Sequence, residues 1–292
     1  MKKKIFITGA SSFLGEGLIN KLKNTYDITV LKHNKPLKTS EEIRVVQGGI
    51  ENAPAWQAEL PLVDIIIHIA SISHTKDPKN YEKINTRGTE KLVKIAEEKN
   101  VKQFIYISTR TIGEKCGAYG TSKGKAEEYI KKSKLPYTII RVGEVYDESF
   151  TRAEGLGKIA SLVEKSFVVP YVVDKNSTVS PIHINDVQAG ILATIDNELS
   201  YNKTYTLTGP ENLSLRQVIE RICKFKKKSP ILFPVPRIFV QIVYYVITKI
   251  NKKAVLDGLE RLLWIRKESL SANVMNDLHI HPRYFLKSFP WN

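Results

Sequence analysis

Ile5-Phe6-Ile7-Thr8-Gly9-Ala10-Ser11-Ser12-Phe13-Leu14-Gly15 runs from an apolar stretch, through a turn of small residues, into the start of a helical pattern. A strand that ends in a glycine turn and feeds a helix is the opening unit of a parallel α/β sheet. The same order has a chemical consequence. It brings several backbone N–H groups and the positive end of a helix to one point, where a pyrophosphate can sit. Gly9 allows the tight turn and close backbone approach, and Gly15 lets the helix lie against the sheet. Glycine spacing alone is weak evidence, and a purely structural turn is the competing explanation; the strand before and the helix after favour the phosphate site.

Outward from this unit, residues 1–145 alternate short β-branched runs with helical stretches. Strands are expected at Lys4–Thr8, Asp27–Lys32, Ile43–Gln47, Asp64–Ile69, Phe104–Ser108 and Tyr137–Val142, with helices near Phe13–Lys23, Tyr81–Glu98 and Ala118–Ser133. The run Val63-Asp64-Ile65-Ile66-Ile67 reads as a central strand buried on both faces. The chain is therefore expected to be α/β, with a Rossmann-type doubly wound parallel sheet in residues 1–145. Residues 146–292 are read as a smaller C-terminal substrate-binding region interleaved with that sheet. There helices are expected at Ala153–Ser166, Asn185–Ile195 and Ser214–Lys226, and short strands at Thr178–Pro181 and Thr204–Thr208. Phe233-Pro234-Val235-Pro236 reads as a proline-marked start to an apolar helix near 237–250. That helix is too short to cross a bilayer. It is read first as a lid or core helix, and second as lying in a membrane interface with Lys249, Lys252 and Lys253 near the head groups.

The 292 residues suffice for one large domain with an appended region. Cys116 and Cys223 share no metal-ligand spacing, so two unpaired thiols in a reducing compartment are expected, and no metal site. The apolar run Ile5–Ile7 is too short for a signal-peptide core, which makes the cytoplasm the expected location, with the membrane periphery second. The formal charge of +15 favours anionic partners. The lysine runs at Lys131-Lys132, Lys226-Lys227-Lys228 and Lys252-Lys253 lie on or beside helical patterns and read as solvated faces, so no nucleic-acid partner is expected.

The opening segment resembles the TGxxGxxG signature of the extended and atypical short-chain dehydrogenase/reductases, the family of NAD-dependent epimerases and dehydratases. Ser12 stands where that family has its middle glycine. The resemblance continues, in the family's order, through His68-Ile69-Ala70-Ser71, Asn85-Thr86-Arg87-Gly88-Thr89, Arg141-Val142-Gly143-Glu144-Val145-Tyr146 and His183-Ile184-Asn185-Asp186-Val187. It implies a dinucleotide held by Gly9, Ser11, Ser12, Phe13, Leu14, Gly15, Ile50 and Ala70. Gly49 replaces the aspartate that in the family contacts adenine. An acidic residue at the end of the second strand would select NAD by binding the ribose diol. This chain has Lys32, His33 and Lys35 there instead, which favours NADP over NAD.

Tyr119 and Lys123 are four residues apart at a helix start, hence on one face. An isolated pair at that spacing is common on surfaces; after a Rossmann half and the strand end at Ser108-Thr109 it is similar to the family's YxxxK motif. The chemistry suits the residue types. Hydride transfer at a C–O carbon needs a proton donor or acceptor at the oxygen, and a phenol near pKa 10 is poorly matched to neutral pH. The ammonium of Lys123 would favour the phenolate and also hold the nicotinamide ribose. Thr109, ahead of Ser108, would hydrogen-bond the reacting oxygen. His183 is expected to pack, with Asn185 or Asp186 capping the helix that follows. The implied activity is an NAD(P)-dependent epimerase or reductase acting on a nucleotide sugar or related substrate, in a protein that pairs as a homodimer. The alternative is a non-catalytic NADP-binding assembly or redox-sensor protein, associated with a membrane.

Overall fold

The computed structural model describes residues 2–37, 43–112, 116–150, 155–174, 178–250 and 270–287. Seven parallel strands form the central sheet: β1 (Lys4–Thr8), β2 (Asp27–Lys32), β3 (Arg44–Gln47), β4 (Ile65–His68), β5 (Gln103–Thr109), β6 (Tyr137–Val142) and β10 (Lys203–Leu207). Their order is β10-β6-β5-β4-β1-β2-β3. Chain direction across the sheet reverses between β1 and β4, and a crevice opens there at the carboxyl ends of the strands. The six strands expected in the first half are all present, with ends moved by a residue or so. Ile5, Phe6, Ile7, Ile65, Ile66 and Ile67 have no exposure at all, as strands covered on both faces require.

Two helical layers cover the sheet. On one face α1 (Phe13–Leu22), α6 (Ile184–Thr194) and α9 (Ala272–Leu278) bury Leu14, Leu18, Val187, Ile191 and Val274 against Ile5, Ile7, Ile65 and Ile67. On the other lie α3 (Gly88–Glu98), α4 (Gly117–Lys132) and a 3-10 segment at Ile50–Ala55, packed on Phe6, Ile66, Phe104 and Tyr106. A short helix α2 (Lys79–Tyr81) and a π-helical segment Glu82–Arg87 lead into α3.

The second half departs from expectation in places. The strand expected at Thr178–Pro181 is absent: Val179 makes only an isolated bridge to Leu213. The strand there is β9 (Ile182–His183), paired with β7 (Val145–Tyr146). The apolar helix expected near 237–250 is present, but the prolines before it are not part of a helical turn. They belong to β11 (Ile231–Pro236), parallel to β8 (Val168–Val173) in a two-stranded sheet, and α8 (Arg237–Ile250) begins immediately afterwards. Proline is tolerated because each strand of such a pair is an edge whose outward N–H groups need no partner. The expected helices survive as α5 (Leu156–Lys165), α6 and α7 (Leu215–Lys226). Ala153, the expected start of the first, lies outside the described residues, as do Lys252 and Lys253.

Candidate functional site

The glycine turn is built as its sequence requires. Gly9 has φ +74°, and a Cβ there would stand 2.6 Å from the backbone nitrogen of Ala70, so the turns after β1 and β4 touch backbone to backbone. A Cβ at Gly15 would meet the Gly9 carbonyl at 2.5 Å, which is why the first turn of α1 can close on β1. Ser12 is comfortable in place of a glycine because its φ of −82° is ordinary for any residue. Its Oγ caps α1, accepting from the Gly15 N–H at 3.1 Å.

A cavity of about 430 Å³ opens on this turn. Its lining includes Gly9, Ser11, Ser12, His33, Ile50 and Ala70 from the expected set, together with Asn34, Lys35, Glu51 and Ile84. Phe13, Leu14 and Gly15 form the first turn of α1, with Leu14 and Gly15 buried and the Phe13 side chain exposed. Of the three cationic residues at the end of β2 and just beyond it, His33 and Lys35 line the cavity and Lys32 does not. Glu51 was not anticipated. Its carboxylate lies 2.7 Å from where a Cβ on Gly49 would be, so the acid missing at position 49 is returned to the same place from two residues further on. A second cleft, of about 470 Å³, lies among Lys2, Lys4, Lys23, Asp27 and Arg44 at the opposite, amino ends of the strands.

The later motifs form one buried frame. His68 Nδ1 is 2.6 Å from Thr8 Oγ1, and its Nε2 is 2.8 Å from Thr89 Oγ1. Burial, with a smaller contribution from Lys123, holds His68 well below its ordinary pKa and therefore neutral. Asn85 accepts from the Ile72 N–H and donates to the Ile72 carbonyl and to Ser122 Oγ, tying the loop after β4 to α4. Thr86 donates to the Ser122 carbonyl, and Ser122 Oγ donates to the Tyr119 carbonyl. These bonds set the turn that carries Tyr119. Gly88 packs under Ile50, where a Cβ would come within 3.0 Å.

Tyr119 and Lys123 occupy successive turns at the start of α4. The half-buried Tyr119 ring meets Tyr81 edge to face at 5.9 Å. Lys123 is buried: its Nζ donates to the Ile107 carbonyl at 2.8 Å and lies 4.2 Å from the centre of the Tyr106 ring. Burial lowers it to about 7, against a smaller opposing pull from Glu127. Glu127 itself is taken by Arg141, in a paired contact at 2.8–3.3 Å. Thr109 Oγ1, at the end of β5, accepts from the Thr111 N–H. Ser108 Oγ is buried with no partner among the described residues. His183, rather than Asn185 or Asp186, caps α6: its Nδ1 accepts from the Asn185 N–H and its Nε2 contacts Glu148. Asp186 is bound by Arg283.

The backbone cradle that a Cβ would fill and the cavity beside it fit a dinucleotide, while Thr109, Tyr119 and Lys123 are not among the residues that line that cavity. A family model described as NAD(P)H-binding matches residues 9–168. The UDP-glucose 4-epimerase of Vibrio cholerae is 26% identical over 264 residues, 81% of this chain and 80% of that protein. The dTDP-D-glucose 4,6-dehydratase of Mus musculus is 24% identical over 198 residues, 56% of either chain. Among solved structures, UDP-glucose 4-epimerase with UDP-glucose from Thermotoga maritima matches at a TM-score of 0.74 and 18% identity, over 97% of this chain and 94% of that one. MoeE5 in complex with UDP-glucose and NAD matches over the same shares, at 0.74 and 15%. At such identities the solved structures establish the fold.

Proposed function

This chain belongs to the NAD(P)H-binding family, among the epimerase/dehydratase type of short-chain dehydrogenase/reductases, and from that premise we propose that it is an NADP(H)-dependent epimerase or reductase of a nucleotide sugar or related anionic substrate. One observation carries the reading: α4 presents Tyr119 one turn ahead of the buried Lys123. A bound nicotinamide supplies the hydride chemistry. Tyr119 moves the proton at the substrate oxygen, and the Lys123 ammonium favours its phenolate electrostatically. Thr109 or Ser108 donates to the same oxygen; Thr109 is the family's position, while the unpartnered Ser108 Oγ supports the other. The preference for NADP rests on His33 and Lys35 in the cavity wall and on the lack of a carboxylate at the end of β2.

The test is a titration with NADPH and NADH, followed by assay against UDP- and dTDP-linked sugars by cofactor oxidation and product epimer analysis. NADPH is expected to bind at least about threefold more tightly, a preference that His33→Ala with Lys35→Ala removes. Tyr119→Phe is expected to lower kcat by about 100-fold or more while leaving the cofactor Kd unchanged. Turnover that survives Tyr119→Phe would overturn the assigned role. Tight NADPH binding with no product from any sugar would leave a nucleotide-binding protein without this activity.

A further inference from the structure

The helix α8 has its polarity reversed. Arg237, Val240, Tyr244 and Ile247, spaced three and four apart, are its half-buried stripe. It sits on the two-stranded sheet of β8 and β11. The side turned to water carries Ile238, Phe239, Ile242, Val243, Tyr245, Val246 and Ile250. Ile238, Phe239, Ile242 and Tyr245 are each more than half exposed, and Ile250 is 82% exposed. The register of the sheet beneath places Phe167 and Val168 beside Ile231, with Phe233 two residues on, and these are exposed too. Soluble monomers rarely leave so much contiguous apolar surface uncovered.

The charge pattern names the partner. From Lys224 to Lys253 the sequence holds no acidic residue, and seven lysines flank the apolar stretch, Lys224, Lys226, Lys227 and Lys228 before it and Lys249, Lys252 and Lys253 after, while Arg237 lies on the stripe against the sheet, paired with Asp174, and Lys226 pairs with Glu164. Two copies of such a segment placed face to face would oppose cation to cation. An anionic bilayer complements it, with the apolar face in the acyl boundary and the lysines at the lipid phosphates. The helix is too short to span, since 14 residues rise about 21 Å against a hydrocarbon core of about 30 Å. No described helix is long and apolar enough to cross a membrane.

We propose that α8 docks the protein in the plane of an anionic phospholipid surface. The proposal is independent of the reaction catalysed. The experiment is flotation of the full chain with vesicles of phosphatidylcholine alone and of phosphatidylcholine with 30% phosphatidylglycerol, alongside Phe239→Glu/Ile242→Glu and size-exclusion chromatography of both proteins. Both substituted positions are exposed, so the variant is expected to keep the wild-type melting temperature and cofactor affinity, which separates a docking defect from misfolding. The wild type should float with the anionic vesicles at least about fivefold more than with neutral ones, less so in high salt, and the variant should stay at the bottom. A wild type that stays at the bottom, flotation that the variant retains, or a dimer that the variant splits without any vesicle binding would overturn the proposal.

Discussion

Lys123 puts an ammonium where there is almost no water, held by one carbonyl and an aromatic face. Folding therefore opposes its charge. The unfolded lysine keeps its proton to about 10.5, the folded one only to about 7. Between those values the unfolded chain binds more protons, so the penalty is complete below about 7 and fades as pH rises toward 10.5. Lys123→Met removes the penalty. Its stability relative to wild type, read from urea melts, is expected to decline by roughly 1 kcal/mol per pH unit between pH 7 and 10. A difference flat with pH would refute the buried charge. Tyr119 and Lys123 were legible in the sequence because one helical turn relates them. Glu51 was not, because its carboxylate returns to Gly49 only through the 3-10 turn that follows Gly49.

At the scale of elements, β1, its turn and α1 act as one piece. Gly9 combines a left-handed φ with backbone contact to Ala70, so Gly9→Ala must move either the turn or the end of β4. A fall of several degrees in melting temperature and about a tenfold or greater rise in dinucleotide Kd are expected, checked by thermal shift with and without cofactor. Unchanged affinity would mean that the turn does not cradle the ligand. This unit was readable because its constraints are local. The β8–β11 pair was not: Pro170, Pro234 and Pro236 argue against strands in isolation, and only the pairing of two edges makes them acceptable. The π-helical segment was hidden as well, since an extra residue in a helical turn leaves little trace in apolar spacing.

Across the whole molecule, the C-terminal half returns repeatedly to the first. β10 joins the sheet beside β6, α6 and α9 cover the face shared with α1, and Gln103 of β5 donates to the Thr194 carbonyl at 2.6 Å. Glu211 gathers Arg221, Lys287 and the Phe285 N–H, while the Phe285 ring meets Tyr146 at 4.8 Å. Burial alone would raise the Glu211 carboxyl, but the hydrogen bonds from Arg221 and Lys287 outweigh it and hold the group at about 2. Its stabilisation is present above the ordinary carboxylate value and is lost as pH falls toward 2. Glu211→Gln is expected to cost about 1–2 kcal/mol at pH 7, less than the full shift implies because water reaches the cluster. The gap between variant and wild type should narrow progressively as pH falls from about 4.5 and close toward pH 2 in denaturant melts; a gap as wide at pH 2 as at pH 7 would place the loss in packing.

The sequence by itself determined the parallel sheet, the glycine turn and the tyrosine–lysine pair, since each rests on strand alternation, helical spacing or a backbone angle set within a few residues. Tertiary structure alone decided which polar groups meet across elements: Asn85 with Ser122, His68 with Thr8, Gln103 with the Thr194 carbonyl. It also decided that the apolar face of α8 turns outward. Such contacts depend on distances between segments far apart in the chain, and no local periodicity encodes those distances.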